Sequence, residues 1–269
     1  MSEAASAPAS VLLESVHDGI AVLVMNRPDR MNALNNELAT ALHGSLQRIA
    51  KDEAIRVVVL TGAGRAFCAG GDLGVIGKGR EANNSKQLEP LLRAGMASVL
   101  TMRTMPQPVI AAVNGAAAGA GMNVALAADI RISAEEAAFG QNFAKVGLFP
   151  DYGGTYFVPE LVGPSKAAEM FYTGDMIDAQ TALRLGLVSR VVPAAQLEAE
   201  AKVLAQKIAS GPPLAIRAVK KILFASQKEA LERALELEVE HQMKCFASED
   251  CLEGVHAFFE KRAPQFRGR

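Results

Sequence analysis

The chain has 269 residues, half of them hydrophobic and 21% charged, which is ordinary globular usage and enough for a sizeable core. A net charge of -1 and a pI near 6.5 supply neither a basic face for nucleic acid nor a polybasic patch for a membrane surface, so neither partner is expected. Three cysteines (Cys68, Cys245, Cys251), with no CxxC and no Cys/His cluster, make no disulfide framework and no metal site, and point to a reduced, cytoplasmic setting.

Residues 1–10 are small and polar, lack the basic region and apolar run of a signal peptide, and read as a flexible tail. Residues 11–13 and 20–25 read as two short strands about the turn His17-Asp18-Gly19. Residues 35–50 have helical spacing, with Leu38, Leu42, Leu46 and Ile49 on one face. Residues 55–60 are a continuous β-branched run, the mark of a strand buried on both faces. The glycine-rich loop TGAGRAFCAGGDLG follows it. Residues 74–87, rich in Gly, Lys, Asn and Ser, read as mobile, and 88–102 as a helix.

A second buried strand, 109–113, a second glycine turn, a helix over 121–128 and a short strand over 129–133 come next. Residues 108–128 are long enough to span a bilayer, but Asn114 and Asn123 interrupt them, and a strand, a turn and a helix explain them better. From Pro193 the pattern is helical: 194–210, 214–224, 228–246 and 250–261, broken at Gly211-Pro212-Pro213. The stripe Leu231, Leu235, Val239, Met243 must pack on the core or on another subunit. Alternating strands and helices give an α/β core.

Two buried strands each end in a glycine-rich loop, the place where open α/β sheets bind ligands. Neither loop fits a nucleotide motif. Around Gly77-Lys78 a phosphate-binding loop fails at Asp72 and Gly79, and Gly119-x-Gly121 is followed by Val124 where a dinucleotide fingerprint needs glycine. The second loop opens into a helix. Its first amides have no intrahelical partner, and Gly119, Ala120 and Gly121 let a ligand atom approach them, which suits a developing oxyanion.

Five segments taken together, NRPDRMNAL (26–34), GRAFCAGGDL (64–73), 108–133, KVGLFPDYGGTYFVPELVG (145–163) and ALRLGLVSRVVP (182–193), resemble the crotonase (enoyl-CoA hydratase/isomerase) family in order and spacing, from about residue 11 to the C-terminus. The resemblance implies a spiral of ββα units over 11–193 that carries the CoA and oxyanion sites. It also implies a helical region over 194–269 for oligomerisation and active-site cover, a homotrimer or dimer of trimers, and an acyl-CoA thioester substrate. No cofactor is expected beyond the coenzyme A of that substrate. The amides of Gly71 and Ala120 would form the oxyanion hole. Arg30, the 66–69 stretch with Ala66 and Ala69, Asp72, Leu73 and Lys261 are the implied CoA or substrate contacts.

The sequence departs from a hydratase. The two glutamates that position water in that chemistry are replaced by Asn123 and Phe143, and neither can take a proton. A carboxylate stands at Asp151 instead, in FPDYGG, which most resembles the ring-epoxide and enoyl-CoA isomerases of the phenylacetate type. Among Phe143, Phe149 and Phe157 a buried Asp151 would have a raised pKa and could serve as base, then acid, across a dienolate. The competing role is a helix cap near Gly153. Tyr152 is left open between pocket lining and core packing. Asp72 is expected to fix its loop, and Cys68 to be a small packed side chain. The expected activity is an acyl-CoA isomerase. The alternatives are a hydratase using Asp151 with water held by Asn123, or a catalytically weak CoA-binding member.

Overall fold

The computed structural model describes residues 10–269; the tail expected over 1–10 lies outside them apart from Ser10. β1 (Leu12–His17) and β2 (Ile20–Met25) form an antiparallel hairpin. Asp18 and Gly19 both take positive φ, 52° and 75°, the twist that suits a two-residue hairpin turn. β1 is longer than the expected 11–13 because residues 13–17 are exposed and offer no burial pattern to read.

Three strand pairs follow: β3 (Val57–Gly62) with β4 (Ala66–Cys68), β5 (Val109–Val113) with β6 (Ala116–Ala118), and β7 (Ile130–Ala134) with β8 (Ala138–Gly140). The first member of each pair joins a six-stranded sheet, parallel from β2 through β3, β5 and β7 to β10 (Arg190–Val192), with β1 at the edge. The second members build a smaller parallel sheet, closed by β9 (Met176–Asp178) running antiparallel to β8. The arrangement is the spiral of ββα units expected from the resemblance. β4 and β6 fell within the expected loops, because three residues of Ala, Phe or Cys carry no alternation to recognise.

α1 (Asn36–Lys51) starts at Asn35, whose Oδ1 accepts from the Leu38 amide at 2.9 Å, and it buries Leu38, Leu42, Leu46 and Ile49 as expected. The segment read as mobile is α2 (Leu73–Glu81) and a 3-10 turn (Ser85–Leu88). Asp72 caps α2 by accepting from Gly74 at 3.1 Å and Val75 at 3.4 Å, and Ile76 and Leu88 are buried; capping and two apolar anchors outweigh the poor helix propensity of its three glycines. α3 (Glu89–Thr104), α4 (Ala120–Ala127), α5 (Gly154–Val162), α6 (Pro164–Thr173) and α7 (Ala179–Arg184) precede the C-terminal helices α8 (Ala194–Ala209), α9 (Pro213–Ala225), α10 (Lys228–Phe246) and α11 (Glu249–Glu260).

Both faces of the larger sheet are covered. Val58, Leu60, Ala111 and Val113 face the main core, while Val57, Val59, Ile110 and Ala112 meet Leu197, Ala201 and Ala205 of α8. That is why β3 and β5 read as unbroken apolar runs. No helix among the described residues is long and apolar enough to cross a membrane.

Candidate active site

The glycine loops after β3 and β5, the segment after β8 and helices α3, α10 and α11 enclose a cavity of about 570 Å³. Gly70, Gly71 and Leu73 line it from the first loop, Ala118, Gly119 and Ala120 from the second, and Phe143, Asp151 and Tyr152 from the third. The buried Leu91 and Leu92 of α3 and Phe246 of α10 add apolar wall, beside the buried amide of Gln242.

The two glycine loops touch. Gly70 has φ +94°, and a Cβ there would lie 2.8 Å from the Ala118 carbonyl oxygen and 3.6 Å from the Ala120 nitrogen, so only glycine permits the approach. Gly119 turns the chain into α4 with φ 51° and ψ -126°, and its amide donates to the Gly140 carbonyl at 2.8 Å, which ties the turn to β8. Among the described residues, neither the Gly71 nor the Ala120 amide donates to a protein acceptor. Two unpaired amides, one of them at the positive end of a helix, can together stabilise negative charge on a ligand oxygen.

Asp151 is 6% exposed and lines the same cavity. Its Oδ2 accepts from Gln242 Nε2 at 3.0 Å, and its Oδ1 has no protein partner. Burial pushes the carboxyl up to about 8; Gln242 opposes the rise and the charge of Glu238 adds to it. A group titrating there can both take and return a proton near neutral pH. Asp151 does not cap α5: the capping position is Gly153, with φ +83°, and no side chain of its own segment caps the helix.

A sequence profile described as enoyl-CoA hydratase/isomerase matches residues 15–269. The chain belongs to the enoyl-CoA hydratase/isomerase family. It is similar to a probable enoyl-CoA hydratase of Rhodobacter capsulatus, 44% identical over 94% of this chain and 96% of that one. It is also similar to the 1,2-epoxyphenylacetyl-CoA isomerase of Escherichia coli, 37% identical over 96% and 98%. The crystal structure of an enoyl-CoA hydratase from Mycobacterium avium subsp. paratuberculosis superposes with a TM-score of 0.88 at 32% identity, covering 97% of this chain and 100% of that one. The chain is thus an enzyme of the crotonase family, acting on acyl-CoA thioesters.

Not every residue implied by the crotonase resemblance reaches the cavity. Arg30, Ala69, Gly71, Asp72, Leu73, Ala120, Phe143 and Asp151 line it. Ala66 does not: it is buried in β4, and its carbonyl accepts from Asn32 at 2.8 Å and Asn114 at 3.2 Å. Asn123 does not either. It is fully buried on α4, where its Nδ2 donates to the Asp151 carbonyl at 2.7 Å and its Oδ1 accepts from Gln141 at 2.8 Å, so it holds the chain and no water in the cavity. Lys261 ends α11 with φ +55° and borders a separate surface groove, which shares Lys145, Val146 and Phe258 with the cavity. Asp72 pairs with Arg27 at 2.9 Å besides capping α2, so it fixes the first loop as expected. Tyr152 does both things left open for it: it lines the cavity, and its buried hydroxyl donates to the Leu91 carbonyl at 3.1 Å. Cys68 is fully buried, which pushes its thiol up to about 12, and it is inert packing.

Several residues at the site were invisible to the motif reading. Arg65 and Lys145 are exposed and, like Arg30, line the cavity as a cationic rim, in which Lys145 also pairs with Asp175 at 3.0 Å. Gln242 and Glu238 come from α10, about ninety residues from Asp151 in sequence. One signal for them existed: both are polar yet lie on the buried stripe of Leu231, Leu235 and Val239.

Proposed function

We propose that this chain is an acyl-CoA isomerase that shifts a double bond, or rearranges a ring, through a thioester dienolate. Gly71 and Ala120 donate their amides to the thioester oxygen. Asp151 removes a proton from one carbon and returns it to another. The observation that carries the reading is the isolation of Asp151. It is the one buried cavity carboxyl among the described residues not engaged in capping or ion pairing, while Asn123 is committed to the backbone and Phe143 has no proton chemistry. The apolar deep wall favours an uncharged acyl group, and the cationic rim of Arg30, Arg65 and Lys145 suits the phosphates of coenzyme A. This chemistry needs no cofactor beyond the coenzyme A that the substrate brings.

The second reading is hydration with Asp151 activating water, favoured by the similarity to a hydratase at 44% identity. Incubation with a 3-enoyl-CoA and a 2-enoyl-CoA in deuterated water separates the two. Isomerisation, with deuterium entering the α or γ carbon as the Asp151 proton exchanges, supports the first, and addition of water to the 2-enoyl substrate supports the second. Under the first reading Asp151→Asn lowers isomerisation about 10²–10⁴-fold while acyl-CoA affinity stays near wild type. Full activity in that variant removes Asp151 from the mechanism.

The same reading assigns residues 11–193 to the core that holds both sites and 194–269 to cover and assembly, as a trimer or a dimer of trimers. Leu214, Ile222 and Leu223 of α9 support an assembly contact, because they are apolar and strongly exposed in the lone chain.

A further inference from the structure

Asp151 is held from outside its own segment. Glu238 and Gln242 lie one helical turn apart on α10 and point into the same buried layer. Gln242 grips the residues before and at Asp151: its Oε1 accepts from the Phe149 amide at 3.0 Å, and its Nε2 donates to the Phe149 carbonyl at 2.6 Å and to Asp151 Oδ2 at 3.0 Å. Glu238 grips the residues after it: its Oε2 accepts from the Gly153 amide at 2.7 Å, and its Oε1 accepts from the Thr155 amide at 2.9 Å and the Thr155 hydroxyl at 2.6 Å. Three donors at the start of α5 favour the ionised form of Glu238, but burial outweighs them and pushes its carboxyl up to about 7, so the negative charge is present above that pH. Between the two grips Tyr152 is forced to φ +55°, a conformation that a bulky residue keeps only when its neighbours are fixed.

We propose that Glu238 and Gln242 are positioning residues of opposite action on Asp151. Gln242 occupies Oδ2, leaves the buried Oδ1 without a protein partner, and favours the ionised carboxyl. Glu238, ionised above about pH 7, sets a second negative charge behind Asp151 in the range where Asp151 titrates, and favours the protonated carboxyl. Their balance determines the pH at which Asp151 becomes a base. The proposal rests on the reading of Asp151 as the proton carrier. The other titratable and charged groups around it are Tyr152 in its own segment, Cys68 of β4, Asp72 with its partner Arg27 on the cavity wall, and the exposed His241 of α10, whose ring packs on Phe149 at 5.2 Å. The rise of the Asp151 carboxyl from burial, opposed by Gln242 and reinforced by Glu238, agrees with this division.

The test is the pH dependence of kcat/KM in Gln242→Met and Glu238→Gln, beside a ¹³C NMR titration of the Asp151 carboxyl in the free enzyme. Loss of the donor moves the acid limb to higher pH, and loss of the charge moves it to lower pH, each by about one pH unit. KM for the acyl-CoA stays within about twofold of wild type in Glu238→Gln, whose side chain lies outside the cavity lining, while Gln242 lines the cavity and its variant is read by the pH limb and the carboxyl midpoint. Shifts of opposite sign support the proposal. Unmoved limbs, or shifts in one direction, overturn it. The carboxyl titration needs no turnover, so it decides the matter even if the enzyme proves not to isomerise: a midpoint that moves in opposite directions supports the positioning role, and a fixed midpoint ends it. If Glu238→Gln does not fold for want of the α5 cap, Gln242→Met alone decides, and an unmoved limb and midpoint there overturn the proposal.

Discussion

At the scale of the residue, Asp151 sets function against stability. Its carboxyl titrates near 8 in the folded chain and near 3.8 in an ordinary environment. Between those values the folded state holds a proton that the unfolded chain has released. The contribution of Asp151 to stability therefore falls as pH rises from about 4 towards 8. Asn at this position cannot ionise and keeps an acceptor for Gln242. Asp151→Asn is expected to be more stable than wild type, by roughly 1–3 kcal/mol at pH 8, with the difference shrinking towards zero near pH 4. Paired thermal melts across that range check it; a difference independent of pH would mean that Asp151 is not a buried titrating group. The presence of a carboxyl in FPDYGG was legible in the sequence, and so was its rise on burial. Its hydrogen-bond partner was not, because Gln242 is 91 residues away and only packing brings it near.

At the scale of the element, the start of α4 places the Ala120 amide. Gly119 sits at φ 51°, and a Cβ there would meet the Phe143 ring at 3.4 Å. Gly119→Ala must either strain this turn or swing the Ala120 N–H away from the cavity. The expected result is a fall in kcat of about 10²–10³-fold, the worth of one oxyanion donor. Acyl-CoA binding should change far less, since the coenzyme contacts lie elsewhere. An unchanged kcat would take the Ala120 amide out of the chemistry. The glycine turn could be read from sequence because small residues before a helix have a recognisable physical use. β4 and β6, which hold the two loops side by side, could not, since their identity lies in pairing partners and not in their three residues each. The same limit applied to α2, whose glycines read as mobile until Asp72 and Ile76 are placed against their partners.

At the scale of the molecule, one buried ion pair ties the C-terminal helices to the sheet. Lys220 of α9 donates to the carbonyls of Met102 and Gln107, at 2.7 and 2.8 Å, and to Asp129 Oδ2 at 2.7 Å. Asp129 Oδ2 also accepts from the Val109 amide at 2.7 Å, so the clamp joins α9, the end of α3 and the strands β5 and β7. Lys220→Met leaves a buried carboxylate and two carbonyls without their donor, which costs about 3–5 kcal/mol and lowers Tm by roughly 10 °C. A melt within a degree or two of wild type would show that α9 is held by other means. Neither Lys220 nor Asp129 stands out in sequence, where both pass for surface charges.

The order of amino acids by itself determined an α/β core, the two glycine loops, the α1 stripe and a carboxyl at position 151, and the spiral architecture entered only as what the resemblance to the crotonase family implies. Each rests on local periodicity, on the special backbone freedom of glycine, or on motifs that recur at fixed spacing. Tertiary structure alone decided that Asn123 and Ala66 turn away from the cavity, that Glu238 and not Asp151 takes the amides at the start of α5, and that Gln242 holds the segment before it. Those outcomes depend on which backbone groups meet across long stretches of chain, and buried polar atoms take whichever partner the packing offers.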